Sequence, residues 1–399
     1  MTRENIVITM DVEWDHKKMG GTDAVEDNIR DSILPTYRML EHDVKEKIVP
    51  DVIREGDIRI NQETNTAEST FKVLISKDLI DTESGGVNNL PILLGGDLFV
   101  HKHIKSLRTT SLELPKSFFS QFSGPSFGID QIRKKLKVKN RPLVSVMVSP
   151  VFGFGPEQYA KRCHELFTAG ADIVSDNQLL VNPRSCPLLK RSRAVFYKLQ
   201  KLKRENKNGL YSINVNLTKN LPYYINKIND MAHSMDVINY VCVGFNAFVG
   251  GISGVEILKD NTNLPIEVHV GLHGVISRFS KYKISLSVFA QLFRLIGGDL
   301  VHSQHIESYI GGNSINSIFK DEVKNNYFSL TRNDEPWDSV KKSFPVACVN
   351  ISPKAIQLNH EFLESQEKLN EFDVVYSALS YVYNHPRGYL AGVKSLRQM

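Results

Sequence analysis

A chain of 399 residues with 41% hydrophobic side chains is too long for one ordinary core, so we expect a globular protein of two domains. Its 49 basic and 44 acidic residues leave a formal net charge of +5, which is small for so large a surface. This balance argues against nucleic acid as a partner, because nucleic-acid-binding proteins usually carry a dense basic face.

Cysteine usage and hydropathy indicate the compartment. The four cysteines are widely spaced without a C-x-x-C pair, which argues against a zinc or redox dithiol motif; they are Cys163, Cys186, Cys242 and Cys348. No apolar run reaches the roughly 18 residues that span a bilayer. The sequence also does not open with a basic segment followed by an apolar one. We therefore expect a reduced, cytoplasmic protein with no membrane partner.

The first 120 or so residues predict an α+β domain, because strand-like segments occur there without a regular alternation with helices. The predicted strands are Asn5–Val12, Asp57–Asn61, Ser69–Ile75 and Leu90–Leu94, and a helix is predicted inside Ala24–His42. The segment Ser120–Asp130, rich in Ser, Gly and Phe, is the predicted joint. We place the domains at residues 1–122 and 123–399.

From about residue 140 short apolar runs alternate with amphipathic segments, which predicts repeated strand–helix units and a parallel sheet. Eight such units over roughly 250 residues match a (β/α)8 barrel. The helix-like stretches include Glu157–Thr168, Tyr223–Ser234 and Ser285–Ile296, and the basic run Lys190–Lys207 has the spacing of a solvated helix face. The predicted strands are Leu143–Val148, Ala171–Ser175, Leu210–Val215, Val237–Gly244, Pro265–Val270, Asp299–Ser303, Phe344–Val349 and Asp373–Ala378.

Reacting groups in such a barrel lie at the carboxyl ends of the strands and in the loops that follow them. Polar side chains at these positions are the candidates for a functional site. They are Ser149 after the first strand, Ser175, Asp176, Asn177 and Gln178 after the second, Asn214 and Asn216 on the third, His269 and His273 on the fifth, His302, Ser303 and His305 after the sixth, and Cys348 and Asn350 after the seventh.

Several blocks of the sequence also occur in a known order and spacing. They are Gly124-Pro-Ser-Phe-Gly-Ile-Asp-Gln-Ile-Arg133, Arg141-Pro-Leu143, Gly170-Ala-Asp172, His269 with His273 and Arg278, Gly297-Gly-Asp-Leu-Val-His-Ser303, and His385-Pro386 leading to Leu396-Arg397-Gln398. Together they resemble the large chain of ribulose-bisphosphate carboxylase/oxygenase (RuBisCO) and its non-carboxylating relatives, the RuBisCO-like or form IV proteins. The resemblance covers about residues 90–399. It implies an α/β fold in which an N-terminal α+β domain precedes a (β/α)8 TIM barrel.

The resemblance also implies a chemistry, the enolisation of a phosphorylated ketose with the help of a divalent cation and a base. Family members place that metal on a carbamylated lysine followed by Asp-Asp-Glu. Here the run reads Ser175-Asp176-Asn177-Gln178, so neutral groups replace the carbamate carrier and both carboxylate ligands. Uncharged amide oxygens hold Mg²⁺ poorly. We expect no bound metal and no cofactor.

Other family groups are replaced as well. Ser149 and Val151 stand where the family has lysines after the first strand, and Tyr309 replaces the lysine of the flexible loop. Val270 replaces a phosphate-gripping arginine, Asp97 replaces an asparagine of the N-terminal domain, and Val349-Asn350 and Leu379-Ser380 replace phosphate-cradling glycines. The ligand-binding candidates at family positions are Ser149, Ser175, Asn177, Gln178, Asp97, Ser303, Tyr309 and Asn350.

The family groups that survive are His269, His302 and Ser303, with His273 and Arg278 nearby. The catalytic candidates are His269, His302 and Asp176. A histidine pair at the barrel mouth suits acid–base chemistry, because imidazole titrates near neutrality. The alternative is that these histidines are inherited, hydrogen-bonded core residues. In the same way, Asp176 and Asp97 are either bases or structural carboxylates.

Three hypotheses follow. The chain is a noncatalytic metabolite- or protein-binding scaffold, a metal-independent enolase or isomerase that uses His269 and His302, or a magnesium-dependent enolase of the methionine-salvage type. Ser175 argues most directly against the third. The resemblance further implies a homodimer in which the N-terminal domain of one subunit covers the barrel mouth of the other.

Overall fold

The computed structural model describes residues 4–80, 82, 87–307 and 317–398. The chain forms two compact units, Met1–Phe122 with Leu272–Leu292, and Ser123–Gly271 with Phe293–Met399. The first unit thus includes a segment, Leu272–Leu292, that was predicted to belong to the barrel domain. None of the described helices is both long and apolar enough to cross a bilayer.

Thirteen strands and seventeen α-helices occur in the described residues. The strands are β1 Asn5–Asp15, β2 Asp51–Asn61, β3 Thr66–Ser76, β4 Ile104–Glu113, β5 Leu143–Met147, β6 Ile173–Ser175, β7 Leu210–Asn214, β8 Val241–Asn246, β9 Ile266–His269, β10 Tyr282–Ile284, β11 Leu300–Ser303, β12 Phe344–Cys348 and β13 Val375–Ala378. The helices are α1 His16–Met19, α2 Thr22–Ile33, α3 His42–Ile48, α4 Leu90–Leu93, α5 Lys116–Phe119, α6 Gly128–Leu136, α7 Pro156–Ala169, α8 Leu188–Arg204, α9 Leu221–Ser234, α10 Ala247–Gly250, α11 Ser253–Asn261, α12 His273–Ser277, α13 Leu286–Leu295, α14 Ser317–Thr331, α15 Pro353–Glu364, α16 Ser380–Tyr383 and α17 Tyr389–Arg397.

The first unit is built on a five-stranded sheet with the order β10-β4-β1-β3-β2. Every second residue of β1 is buried, because successive side chains of a strand point to opposite faces. Strands β4 and β10 were not predicted from the sequence. Strand β10 pairs in parallel with β4, which explains why Leu272–Leu292 belongs to this unit.

One predicted strand of the first unit is wrong. Residues Leu90–Leu93 form a short helix, with Pro91 in its first turn, where the missing proline N–H costs no hydrogen bond. In a strand the same proline would have removed a ladder donor. An apolar run alone cannot distinguish the two structures, and Pro91 was the signal against a strand.

The second unit is a closed barrel of eight parallel strands in the order β11-β12-β13-β5-β6-β7-β8-β9. All eight predicted barrel strands are confirmed, with ends shifted by a few residues. The strands are buried over almost their whole length, as expected for a parallel sheet covered by helices. The predicted helices Glu157–Thr168, Tyr223–Ser234 and Ser285–Ile296 correspond to α7, α9 and α13.

The amino-terminal end of the barrel is closed by packing and by two buried carboxylates. Ile129, Ile132 and Leu136 of α6 pack against the first residues of the strands. Asp172 accepts a hydrogen bond from the backbone N–H of Val144 and pairs with Arg141. Asp299 accepts from the N–H groups of residues 127, 128 and 266. These contacts leave the opposite, carboxyl-terminal end as the place for function.

Candidate functional site

Two histidines predicted to lie at the barrel mouth meet at the ends of neighbouring strands. Glu267 and Val268 of β9 pair with Leu300 and Val301 of β11, so the next positions in this register are His269 and His302. Their ring centroids are 4.2 Å apart, and the side chains are 2% and 4% exposed. The parallel register of β9 and β11 therefore creates the pair.

Glu267, which was not predicted as a site residue, lies between the two histidines. Its Oε1 lies 2.9 Å from Nε2 of His302, and its Oε2 lies 4.0 Å from Nε2 of His269. The signal was present in the sequence, because residues two apart in a strand point to the same face. Glu267 is 1% exposed, so the three side chains form a buried acid–base cluster.

The members of this cluster prefer different protonation states. Burial and the neighbouring His302 lower the pKa of His269 to about 3, so its imidazole is neutral. Burial also lowers the pKa of His302, but hydrogen bonds with Cys348 and Glu267 outweigh it and raise that pKa to about 10. Burial raises the pKa of Glu267, yet the two histidines hold it well below its ordinary value. At neutral pH the cluster thus contains an imidazolium–carboxylate pair beside a neutral imidazole.

Small residues around the cluster make room for it. A Cβ at Gly244 on β8 would lie 2.9 Å from Nε2 of His269 and 3.2 Å from Oγ of Ser212. The Ser175 hydroxyl donates to Oε2 of Glu267 at 3.4 Å and lies 3.2 Å from the Ser145 hydroxyl. Ser175, which stands at the position of the family's carbamate carrier, therefore forms hydrogen bonds inside the barrel.

Asp176, predicted as a catalytic candidate, is engaged in contacts of its own. Its carboxylate pairs with Arg191 at 2.9 Å, and both residues are fully buried. The hydroxyls of Tyr159 and Tyr211 each donate to it at 2.6 Å, and the backbone N–H of Asn214 donates at 3.1 Å. These partners occupy both carboxylate oxygens, which favours the structural interpretation of Asp176 over the catalytic one.

The amides at the family's carboxylate-ligand positions are also turned toward protein partners. Oδ1 of Asn177 accepts from the N–H of Leu179 at 3.0 Å, and Oε1 of Gln178 accepts from Nδ2 of Asn246 at 2.7 Å. The Asn214 amide donates to the carbonyl of Gln178 at 2.9 Å. An amide network thus connects the ends of strands β6, β7 and β8.

The residues present do not fit the family's magnesium ion. Mg²⁺ is held by charged carboxylates in near-octahedral geometry. At these positions the oxygens belong to Ser175, Asn177 and Gln178, and each of them already bonds to the protein.

The remaining ligand-binding candidates are spread over both units. In the barrel, the Ser149 N–H donates to the Tyr383 hydroxyl at 2.9 Å, and Oγ of Ser303 donates to the adjacent carbonyl of residue 304 at 3.3 Å. Asp97 is exposed in the first unit. Tyr309 lies outside the described residues.

The turn after β12 keeps a backbone suited to glycine although it contains none. Val349 has φ of 71° and Asn350 has φ of 56°, both in the left-handed region. The Val349 carbonyl accepts a hydrogen bond from Nε2 of His305 at 2.6 Å. Both side chains of the turn are exposed, Val349 by 43%, so they project from the position of the family's phosphate-cradling glycines.

The sequence profile of the ribulose bisphosphate carboxylase large chain, catalytic domain, matches residues 128–399. The chain belongs to this family. A ribulose bisphosphate carboxylase of Methanocaldococcus jannaschii is 26% identical over 378 residues, which are 90% of this chain and 82% of the relative. That of Archaeoglobus fulgidus is 26% identical over 327 residues, or 78% and 71% of the two chains.

Solved structures of RuBisCO and of RuBisCO-like proteins share the fold. The octameric RuBisCO of Pyrococcus horikoshii matches 99% of this RuBisCO-family chain with a TM-score of 0.82 and 22% identity, over 88% of its own length. A rubisco-like protein from Burkholderia fungorum matches 99% with a TM-score of 0.81 and 19% identity, over 93% of its length. The barrel and the N-terminal sheet are therefore those of the RuBisCO large chain.

Proposed function

We propose that this RuBisCO-family chain is a RuBisCO-like protein that does not fix CO₂ and acts as a noncatalytic scaffold for a metabolite or a protein partner. The main supporting observation is that Oε1 of Gln178 accepts a hydrogen bond from Nδ2 of Asn246 at 2.7 Å. With Asn177 bonded to its own loop, neither position offers a charged oxygen to a cation. Carboxylation needs that cation to stabilise an enediolate.

The direct test is a carboxylation assay on the purified full chain with ribulose 1,5-bisphosphate, Mg²⁺ and ¹⁴C-labelled bicarbonate. We expect no incorporation above that of heat-inactivated protein, while a family carboxylase assayed in parallel gives the positive control. Measurable incorporation would overturn the proposal. Turnover of a methylthio-sugar phosphate with Mg²⁺ would instead support the methionine-salvage type of enolase, against which Ser175 argues.

We also propose that any native ligand lacks a phosphate group. Val349 and Asn350 add side chains at the phosphate-binding turn, and the buried Val270 cannot replace an arginine's charge-assisted contacts. Each such hydrogen bond contributes about 1.5–3 kcal/mol, so a phosphorylated ligand should be weakened by at least about 100-fold. Thermal shifts with ribulose 1,5-bisphosphate, methylthioribulose 1-phosphate and sulfate test this. Clear stabilisation at sub-millimolar concentration by any of them would contradict it.

Metal-independent proton transfer is the second candidate function, and the opposite charge states of His269 and His302 favour it. Pairs of titratable groups whose pKa values are pushed apart often divide the roles of base and acid. In this candidate function the neutral His269 would act as the base and the charged His302 as the acid. Deuterium exchange into small ketones and aldehydes, followed by NMR in D₂O, tests this function. Exchange that is lost in His269→Asn would favour an enzyme over a scaffold.

A homodimer is the proposed assembly, and a cytoplasmic location stays a prediction. One structural relative is described as a dimeric archaeal Rubisco from Hyperthermus butylicus, with a TM-score of 0.80 and 20% identity. In the first unit, Leu272, Val275 and Phe279 are 63%, 69% and 58% exposed. Apolar side chains exposed so close together are typical of a surface that another chain covers.

A further inference from the structure

The cluster of Glu267, His269 and His302 has the composition of a transition-metal site. In the described part of the chain, it is the one group of three or more His, Cys, Asp or Glu residues whose ligand atoms converge, all within 4.8 Å of one another. Two imidazole nitrogens and a carboxylate oxygen suit zinc and similar borderline ions, whereas Mg²⁺ prefers oxygen ligands.

We propose that Glu267, His269 and His302 bind a divalent transition-metal ion of the zinc type inside the barrel. This site is distinct from the family's magnesium site, which lies at the end of β6. The inference goes beyond the proposed function, because a scaffold and an enzyme alike can hold such an ion.

The separations of the ligand atoms lie close to those that zinc requires. Zinc binds nitrogen and oxygen at about 2.0–2.2 Å, so neighbouring tetrahedral ligands stand about 3.3 Å apart. Two of the separations are 2.9 Å, between Glu267 and His302, and 4.0 Å, between Glu267 and His269. The first separation must therefore widen by about 0.4 Å and the second shorten by about 0.7 Å for one ion to bind. The fourth ligand of such a site would be water or a further ligand atom.

The surroundings support metal binding in two ways. Gly244 leaves the space that the His269 imidazole occupies, and the Ser175 hydroxyl orients the Glu267 carboxylate, as outer-shell partners of metal ligands do. Zinc takes the neutral form of each imidazole, so a proton on His302 competes with the ion and is released to solvent on binding.

A surface histidine pair is the rival binding site. His101 and His103 in the first unit have ring centroids 5.8 Å apart and could take up added zinc without any role for the barrel. His103→Asn removes this pair and leaves the barrel cluster unchanged, so it is the matched control.

The experiment uses the full chain without an affinity tag, loaded either by expression in zinc-supplemented medium or by refolding from denaturant with micromolar Zn²⁺. We expect one zinc per chain after gel filtration, measured by plasma mass spectrometry. Substitution with Co²⁺ should give the visible absorption of a four-coordinate ion. His269→Asn should weaken binding by more than the roughly 10–100-fold that an outer-shell change costs, and His103→Asn should not.

Circular dichroism shows whether each variant folds. If His269→Asn does not fold, Glu267→Gln is used as the barrel variant instead. The proposal is overturned if neither loading route retains zinc in the wild type. It is equally overturned if a folded barrel variant binds as the wild type does, or if His103→Asn abolishes binding.

Discussion

Nε2 of His302 lies 2.9 Å from Oε1 of Glu267 across neighbouring strands of a barrel interior. Both side chains are almost completely buried, so each charge depends on the other for solvation. Breaking such a pair by removing one partner is costly, since an uncompensated charge is left in a medium of low polarity. The cluster therefore influences stability as well as any chemistry.

Glu267→Gln should lower stability by roughly 3 kcal/mol near pH 6, and the difference from wild type should shrink at high pH. The folded-state pKa of His302 is raised to about 10 from an ordinary 6.5, so its contribution is fully present below pH 6.5 and is lost as pH rises toward 10. The other titratable groups that face His302 are His269 and Cys348. Urea unfolding in tag-free, metal-free buffer at pH 6, 8 and 9.5 measures this, and a pH-independent difference would contradict it.

Gly244→Ala should destabilise the protein by about 1–3 kcal/mol, the usual cost of overpacking a buried site. The added Cβ would lie 2.9 Å from Nε2 of His269, closer than real Cβ atoms come to their neighbours. The control is Gly274→Ala, where nothing lies within 4 Å of the added carbon and no loss is expected. Equal midpoints of denaturant unfolding for the two variants would show that His269 is not held in this position.

Asp176→Asn should cost about 3–5 kcal/mol, because it leaves the Arg191 guanidinium buried without its counter-ion. Asp236 forms an exposed ion pair with Lys203, so Asp236→Asn is the control and should change stability by less than about 1 kcal/mol. Chemical denaturation measures both. If Asp176→Asn unfolds at the wild-type midpoint, the carboxylate is not a structural anchor and its catalytic interpretation regains weight.

Val349→Gly should stabilise the protein by about 0.5–1 kcal/mol. A left-handed conformation costs a β-branched residue about 1–2 kcal/mol, which exceeds the entropy that glycine loses on folding. Val249 in α10 is also exposed but lies in a helix, so Val249→Gly should instead be destabilising by about 0.5 kcal/mol. Thermal unfolding of the two variants should give shifts of opposite sign, and a loss in both would mean that the turn at 349 is not strained.

Light scattering at micromolar concentration should give about twice the chain mass of 45.1 kDa. Replacing the exposed Val275 and Phe279 with Ser and Gln should shift the mass toward that of a monomer, because apolar contact area is lost. Polar replacements of the exposed Tyr197 and Ile257, which lie on the outer helices α8 and α11 of the barrel unit, are the comparison. A wild-type monomer would contradict the proposed dimer.

The sequence by itself determined the barrel. Eight short apolar runs at regular spacing predict one closed parallel sheet. The strands of such a sheet are buried on both faces, so each one appears in the sequence as an apolar run followed by a helix. It also determined which family ligands are missing, because Ser175, Asn177 and Gln178 differ in charge from the groups that they replace. These properties belong to individual positions and need no coordinates.

Only the tertiary structure decided what the remaining polar residues do. The partners of Asp176 come from α7, α8 and β7, and the neighbours of His269 come from β8, β9 and β11, so their contacts depend on chain closure over tens of residues. Burial lowers the pKa of both His269 and His302, and only at His302 do hydrogen bonds with Cys348 and Glu267 outweigh it. This difference depends on distances in the folded chain, which no local sequence pattern contains. For the same reason Glu267, two residues from a predicted site residue, became part of the site only once β9 and β11 lay side by side.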